Sequence, residues 1–523
     1  MTADGIGPAE PERRGAVLVW LIAVLAIGAV LVPLFLTPVV PAVDFYAHVV
    51  RYFALAHIDV APNVAENYDA AWKILPNLGL DLLATALMEV VPPLFATKLI
   101  AALMILSVPA GMAALSWVLN GRVTAMALVG GLILSYSHIL IWGFANFLIG
   151  LGLALAGIAL WIALADRPAR QLAFALPFAL VLFFVHGLAF AFWGLLLGTV
   201  ELVLAWERGQ VRPLALAVRM ARLASLAVLP VLLFLQMPTS GAEGGVTPAF
   251  ANLQTAAGQG RFWPEVIDEA LSRVDVTLRV ADSGHPWIDR TLGVAMWGLL
   301  AWGFVRGGLR LDRRIWLAAG LAACLVLVMP PFMFSVGYLN DRAPLVLAAL
   351  LFAGAVPYAP SGKNIFRALA GIAVLRLCLV GATWAESGAM YRGYIAALAV
   401  HETGNLGLSV YLDDTDRRDP GIPRCEPLAP LMLLLNGTAV RTFAINTQQP
   451  ITLAGPLADL ADRSGPLLQN IPSQAEHETL DALAALGPSA MVVCAQDGRS
   501  LPSPEAFELA AQSFPWALYT RAE

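Results

Sequence analysis

Apolar residues run in stretches of about 18 or more between positions 17 and 379, each long enough to cross a bilayer as a helix. Read this way, the pattern predicts spans at 17–37, 95–118, 123–141, 145–165, 171–187, 188–206, 216–236, 291–305, 315–334, 344–359 and 368–386, about eleven in all. One segment breaks the parity of that series. Residues 76–91 (PNLGLDLLATALMEVV) are apolar but short and carry Asp81 and Glu89, which predicts a re-entrant or interfacial helix. From residue 385 the pattern turns polar. Strand-like runs at 408–412, 440–445, 491–494 and 516–519 alternate with helical ones at 427–436, 456–463, 476–486 and 504–512. The predicted fold is a polytopic α-helical membrane protein over 1–386, followed by a small extracytoplasmic α/β domain over 387–523.

Composition agrees with the pattern: 59% of residues are hydrophobic and 13% charged, where soluble proteins carry about 25% charged residues. The first span exceeds the 7–15-residue core of a signal peptide and no clean A-x-A site follows, so it reads as a retained helix. Arg13 and Arg14, Arg167 and Arg170, Arg208 and Arg212, the Arg306–Arg314 cluster, and Lys363 with Arg367 occupy short loops. The positive-inside rule places those loops and the N-terminus in the cytoplasm. The Asp44 segment, the 237–290 loop, the 335–343 turn and the C-terminal domain then lie outside. Lysine occurs only at Lys73, Lys98 and Lys363 while Ala, Gly and Arg abound, a bias of GC-rich bacterial genes. The expected location is a bacterial inner membrane with the C-terminal domain in the periplasm.

Other function classes lose support. The net charge is -5 and no basic patch interleaves with aromatics, which excludes nucleic acid as a partner. Neither G-x-G-x-x-G nor a P-loop occurs, and no C-x-x-C spacing suggests zinc. Cys324 and Cys378 lie in apolar runs; Cys425 and Cys494 lie in the polar region, where a disulfide and two free thiols are equally open. Asp413, Asp414 and Asp416 lack EF-hand spacing and read as a solvated turn.

Candidate chemistry begins where the first span ends. Asp44, His48 and Arg51 stand at offsets 0, +4 and +7, on one helix face within about 60° of each other. Asp44 suits a general base or a ligand for a divalent cation such as Mg or Mn; it also suits a plain helix N-cap. Arg51 suits either a phosphate or a snorkelling role among lipid headgroups. Asn77 and Asp81 share a face at i, i+4. His138 and Asn146 flank the break Trp142-Gly143-Phe144, and His186 before Gly187 suggests a tight outer turn. Asp341 and Arg342 close the short turn Tyr338-Leu339-Asn340-Asp341-Arg342. Ionisable groups cost roughly 2.5–3.5 kcal/mol at a helix centre, so they tend to line cavities. Nearly all of these fall at the predicted outer ends, which points to one polar cavity open to the outside. Glu201, deep in a span, finds no partner in the sequence. The 237–290 loop opens Gly-rich at 240–245, carries an amphipathic stretch at 264–274 and returns through Asp282, His285 and Asp289. It reads as a cap over the cavity or as a connection.

Taken together, residues 15–386 resemble the GT-C superfamily of membrane glycosyltransferases. The shared layout is a first span, an outer loop bearing an acid, a seven-helix core, a large outer loop, later helices and a soluble outer domain. Asp44, in Val43-Asp44-Phe45-Tyr46-Ala47-His48, stands where the essential loop acid would stand. Asn340-Asp341-Arg342-Ala343-Pro344 resembles the arginine-bearing turn that binds donor phosphate. Two departures are plain: a second acid beside Asp44 is lacking, with Asp59, Glu66 and Asp69 distant, and Leu75-Pro76-Asn77 replaces the usual Pro-Pro opening. The resemblance implies an enzyme that passes a sugar from a polyprenyl-phosphate carrier to a glycan, lipid or protein hydroxyl, with inversion. Asp44 would be base or metal ligand, Arg342 and Arg51 would neutralise phosphate, and His48 and His186 would orient groups. Two competing expectations remain: a transporter or flippase for a lipid-linked solute, which favours inverted repeats not visible here, and a non-catalytic assembly protein whose tail binds a partner.

Overall fold

A computed structural model describes residues 24–237, 262–333, 336–412, 423–446, 449–469, 476–495 and 503–521. Among these, Pro93–Asn120, Ala145–Ala163, Pro168–Val185, Gly187–Glu207, Pro213–Leu235 and Pro360–Leu398 are long and apolar enough to cross a membrane. Val24–Leu36 is the described part of the first span. The centre of the bundle is the contact between Pro93–Asn120 and Ala145–Ala163, where small residues let two backbones meet. A Cβ on Gly111 would stand 2.2 Å from the Gly152 carbonyl oxygen. Glu201 is matched inside the bundle by Trp161 Nε1 at 2.9 Å and by Arg219 and Arg222 at 2.5 and 3.0 Å.

One helix differs from the sequence expectation in a way that bears on the site. The span expected over 123–141 is interrupted, giving Ala125–Leu134 and His138–Trp142. Ser137 restarts the chain as a helix after the break, because its side chain accepts the Leu140 N–H. The freed backbone between the two helices is paired with residues 280–282: His138 N–H donates to Val280 O and Asp282 N–H to Tyr136 O. The 76–91 segment folds as Leu78–Val90, whose 13 residues reach only about 20 Å, short of the ~30 Å hydrocarbon core. It buries Leu80, Asp81, Ala84 and Met88 and exposes Leu82, Leu83 and Val90.

Beyond the bundle, Pro360–Leu398 runs on past residue 386 and hands over to strand Leu406–Tyr411. That strand lies in a five-stranded sheet ordered Phe507–Ser513, Trp516–Arg521, Ala490–Cys494, Leu406–Tyr411, Ala439–Val440. Leu406–Tyr411 pairs in parallel with both of its neighbours, and the first two strands form a hairpin. Residues 504–512, expected as a helix, supply the edge of that hairpin. Antiparallel pairing with Trp516–Arg521 outweighs the helix propensity of Glu508, Leu509, Ala510 and Ala511. Cys425 and Cys494 are joined, with Cα atoms 5.8 Å apart. The acidic turn at 413–416 and the Gly-rich stretch at 240–245 lie outside the described residues.

The sheet domain is fastened to the loop that follows the first span. Tyr68–Ala70 pairs antiparallel with Ile451–Leu453. Tyr68 Oη accepts the Val440 N–H at 2.9 Å and donates to the Val440 carbonyl at 2.8 Å. Asn67 Oδ1 accepts the Leu457 N–H at the start of helix Gly455–Gln469. Asn63 donates to the carbonyls of Asn405 and Gly437.

Candidate active site

The chain leaves the first span and runs beside the short helix His138–Trp142. Val43 and Asp44 donate their N–H groups to the carbonyls of Ile141 and Trp142, at 2.8 and 2.9 Å. Gly143 makes that approach feasible. Its φ is +82°, and a Cβ there would sit 2.4 Å from the Phe45 nitrogen. Asp44 is half-buried at the N-cap position of helix Phe45–His57, and its side chain makes no cap bond.

Arg342 lies within electrostatic reach of Asp44. It ends the 3₁₀ turn Asn340–Arg342, ahead of helix Ala343–Gly354. Its guanidinium is buried over the rings of Phe144 and Phe147, at 4.5 and 5.2 Å from their centroids. Nη2 donates to Gly337 O at 3.3 Å, while Nε and Nη1 are buried without a partner. Burial pushes its pKa down to about 10 against the pull of Asp341 and Asp44, so the group is cationic at neutral pH. A buried cation with unmet donors is costly unless an anion completes it.

Of the other residues singled out from the sequence, His186 and Asp341 lie within electrostatic reach of Arg342. His186 joins Pro168–Val185 to Gly187–Glu207; its Nδ1 accepts the Ala189 N–H, and its ring meets Phe147 edge-on at 5.5 Å. Asn146 donates to the Asn77 carbonyl at 3.1 Å. Asn77 itself, at φ +75°, caps helix Leu78–Val90, and its Oδ1 is buried without a partner. Asp341 is buried among His138, Arg342, Arg279 and Arg273; burial raises its pKa in spite of them. His138 has both ring nitrogens taken by protein, Nδ1 by Asp282 at 2.8 Å and Nε2 by Trp142 Nε1 at 2.9 Å.

The stripe Asp44, His48, Arg51 divides between two neighbourhoods. Arg51 directs Nε and Nη2 to Asp81 Oδ1, at 2.9 and 2.6 Å, and Nη1 to the Ala444 carbonyl at 3.2 Å. His48 meets Phe443 edge-on at 5.7 Å. Burial and the Arg51 charge push its pKa well below the ordinary value, so the ring is neutral. Both residues thus lie under the 442–444 loop of the sheet domain, where Thr442 Oγ1 also donates to the Ala47 carbonyl.

Sequence reasoning missed the aromatic wall. Trp142 packs on Tyr338 at 4.2 Å and on Phe144 at 5.9 Å. Aromatic residues beside a break were visible, but their partner Tyr338 is about 195 positions away, a pairing that no local period reveals. Among the described residues, no three His, Cys, Asp or Glu side chains converge as a metal cage.

No family model matches the chain, and no curated protein matches it. It is similar to two solved structures of ArnT from Cupriavidus metallidurans. One, bound to undecaprenyl phosphate, has 13% identity and a TM-score of 0.37 over 96% of this chain and 97% of that one. The other, in the apo state, has 12% identity and a TM-score of 0.38 over 96% and 98%. Identities and TM-scores this low leave the functional reading to rest on the residues of the site.

Proposed function

We propose that this chain is an inner-membrane glycosyltransferase of GT-C type that moves a sugar from a polyprenyl-phosphate donor to a hydroxyl on the outer face. The observation that carries the reading is Arg342, a buried guanidinium with two unmet donors beside Asp44. A phosphate oxygen pair suits such a fork, and a polyprenyl phosphate is a phosphate that arrives through the membrane. In this reading the acceptor oxygen attacks the anomeric carbon and the bond from that carbon to the donor phosphate oxygen breaks. The acceptor proton passes to the Asp44 carboxylate, and the negative charge left on the phosphate is met by Arg342. His186, Asn77 and Asn146 border the place where the two substrates would meet. Arg51 and Asp81 hold the helix that Asp44 precedes against Leu78–Val90, and neutral His48 serves as a polar wall. No step is routed through a metal.

The transporter alternative has one feature in its favour, the interrupted helix at 135–137. Its freed backbone is paired with the 280–282 segment, whereas transporters turn such backbone toward a substrate or ion. The test compares a deletion strain complemented with wild type, Asp44→Asn or Arg342→Ala at equal membrane abundance. Loss of one glycan or glycolipid species in both variants supports the reading and identifies the product. Full restoration by Asp44→Asn rejects it.

A further inference from the structure

Asp44 and Arg342 come from segments about 300 residues apart. What they share is Trp142. Its carbonyl accepts the Asp44 N–H at 2.9 Å. Its ring stacks on Tyr338 at 4.2 Å, at the head of the turn that carries Arg342, and on Phe144, the ring beneath Arg342. Its indole N–H donates to His138 Nε2. An accepting Nε2 carries no proton, so the imidazole is the Nδ1–H tautomer and donates to Asp282 at 2.8 Å. Asp282 is fully buried and is fixed in turn by Arg279 Nη2 at 2.9 Å and by the Gly284 N–H at 2.8 Å. Its own N–H returns to the Tyr136 carbonyl. Burial alone would raise the Asp282 carboxyl; the His138 hydrogen bond, with the Arg279 charge and the Gly284 N–H, holds it below the usual carboxylate range.

We infer that Asp282, His138 and Trp142 form a positioning relay, through which the returning outer loop sets the placement of Asp44 relative to Arg342. The three residues act through others and need not touch substrate. The inference rests on the glycosyltransferase reading for its consequence in turnover, but not for its geometry. Trp142→Phe keeps the stacking ring and removes only the indole donor; Asp282→Asn keeps the shape and removes the carboxylate's charge. A merely structural network would loosen the whole molecule when cut. A relay loosens two particular segments.

The experiment is hydrogen–deuterium exchange on the full chain in lipid nanodiscs, for wild type, Trp142→Phe and Asp282→Asn, alongside product formation in the complemented strain. Exchange in peptides covering 41–46 and 336–343 is expected to rise about tenfold, with strand Ala490–Cys494 unchanged, and product is expected to fall about tenfold. Unchanged exchange at 41–46 and 336–343 in Trp142→Phe overturns the relay. So does an equal rise in every peptide of both variants. If the two segments loosen as expected while Asp44→Asn restores every product, the relay stands and the glycosyltransferase reading falls.

Discussion

A guanidinium buried as deeply as Arg342, with Nε and Nη1 unmet, is costly unless an anion supplies the missing acceptors. On the proposed reading, replacing it by Ala removes a charge-assisted bond worth about 1.5–3 kcal/mol, so a polyprenyl phosphate in nanodiscs should bind roughly tenfold to a hundredfold more weakly. Native mass spectrometry of the full chain with added lipid phosphate reads this directly. Arg342→Lys keeps the charge but loses the planar fork and should recover only part of the affinity. The sign of the pH dependence follows from its depressed pKa of about 10. The cation persists below that value, so Arg342-dependent binding should hold from neutral pH upward and decline as pH passes about 10. Binding that fell already between pH 7 and 8 would point to another group. Gly143 is the second residue whose identity the geometry dictates. Gly143→Ala takes on about 1–2 kcal/mol from the left-handed backbone alone, besides the clash with Phe45. Thermal unfolding in detergent should show the loss, and Asp44-dependent product should fall with it.

At the scale of elements, the long apolar helices were legible because length and hydropathy decide what can cross a bilayer. The shorter pieces were legible only where a side chain punctuates the chain. His186 and the Trp142-Gly143-Phe144 break marked true element ends, whereas Asn77, expected on the helix face of Asp81, lies just before the helix. The interruption at 135–137 was not legible, because what stabilises it is the backbone of residues 280–282, remote in sequence. Phe507–Ser513 was misread for the same kind of reason: its strand state comes from a partner, and propensity alone favours a helix. The Arg51–Asp81 pair likewise joins two elements whose contact the sequence does not announce. The offsets of Asp44, His48 and Arg51 correctly placed them on one helix, yet the partners of Arg51 are Asp81 and Ala444. Arg51→Ala should cost about 3–5 kcal/mol by leaving Asp81 buried and unpaired, whereas Arg51→Met with Asp81→Leu should restore most of that loss. The contrast can be read as the unfolding temperature of each variant in one detergent. If both substitutions prove equally mild, the pair is not what holds Leu78–Val90 to the Phe45–His57 helix.

On the scale of the whole molecule, the sheet domain is fastened to residues 63–70, and this changes how the competing functions can be told apart. Tyr68 joins them through both polar groups of Val440, Asn67 through the start of Gly455–Gln469, and Tyr68–Ala70 through a shared ladder. The Cys425–Cys494 bond closes 69 residues of that domain, a loop whose entropy corresponds to about 4 kcal/mol. Composition located the domain but could not reveal its docking, because exposed strand edges and asparagines look alike whether they face water or a partner. Tyr68→Phe should leave two buried backbone groups unmet at a cost of about 1–3 kcal/mol. Its effect should appear as faster hydrogen exchange in both 62–70 and 436–441, where a domain merely tethered by Pro360–Leu398 would show no change at 62–70. A docked domain has a further consequence. Deleting residues 399–523 removes the partners of the Asp44-bearing loop, so an enzyme and an assembly scaffold would both fail after the deletion. Loss of function on truncation therefore favours neither. Asp44→Asn leaves those partners in place and changes a single carboxylate: an enzyme should lose its product while retaining hydrogen exchange at 62–70, whereas a scaffold should retain both.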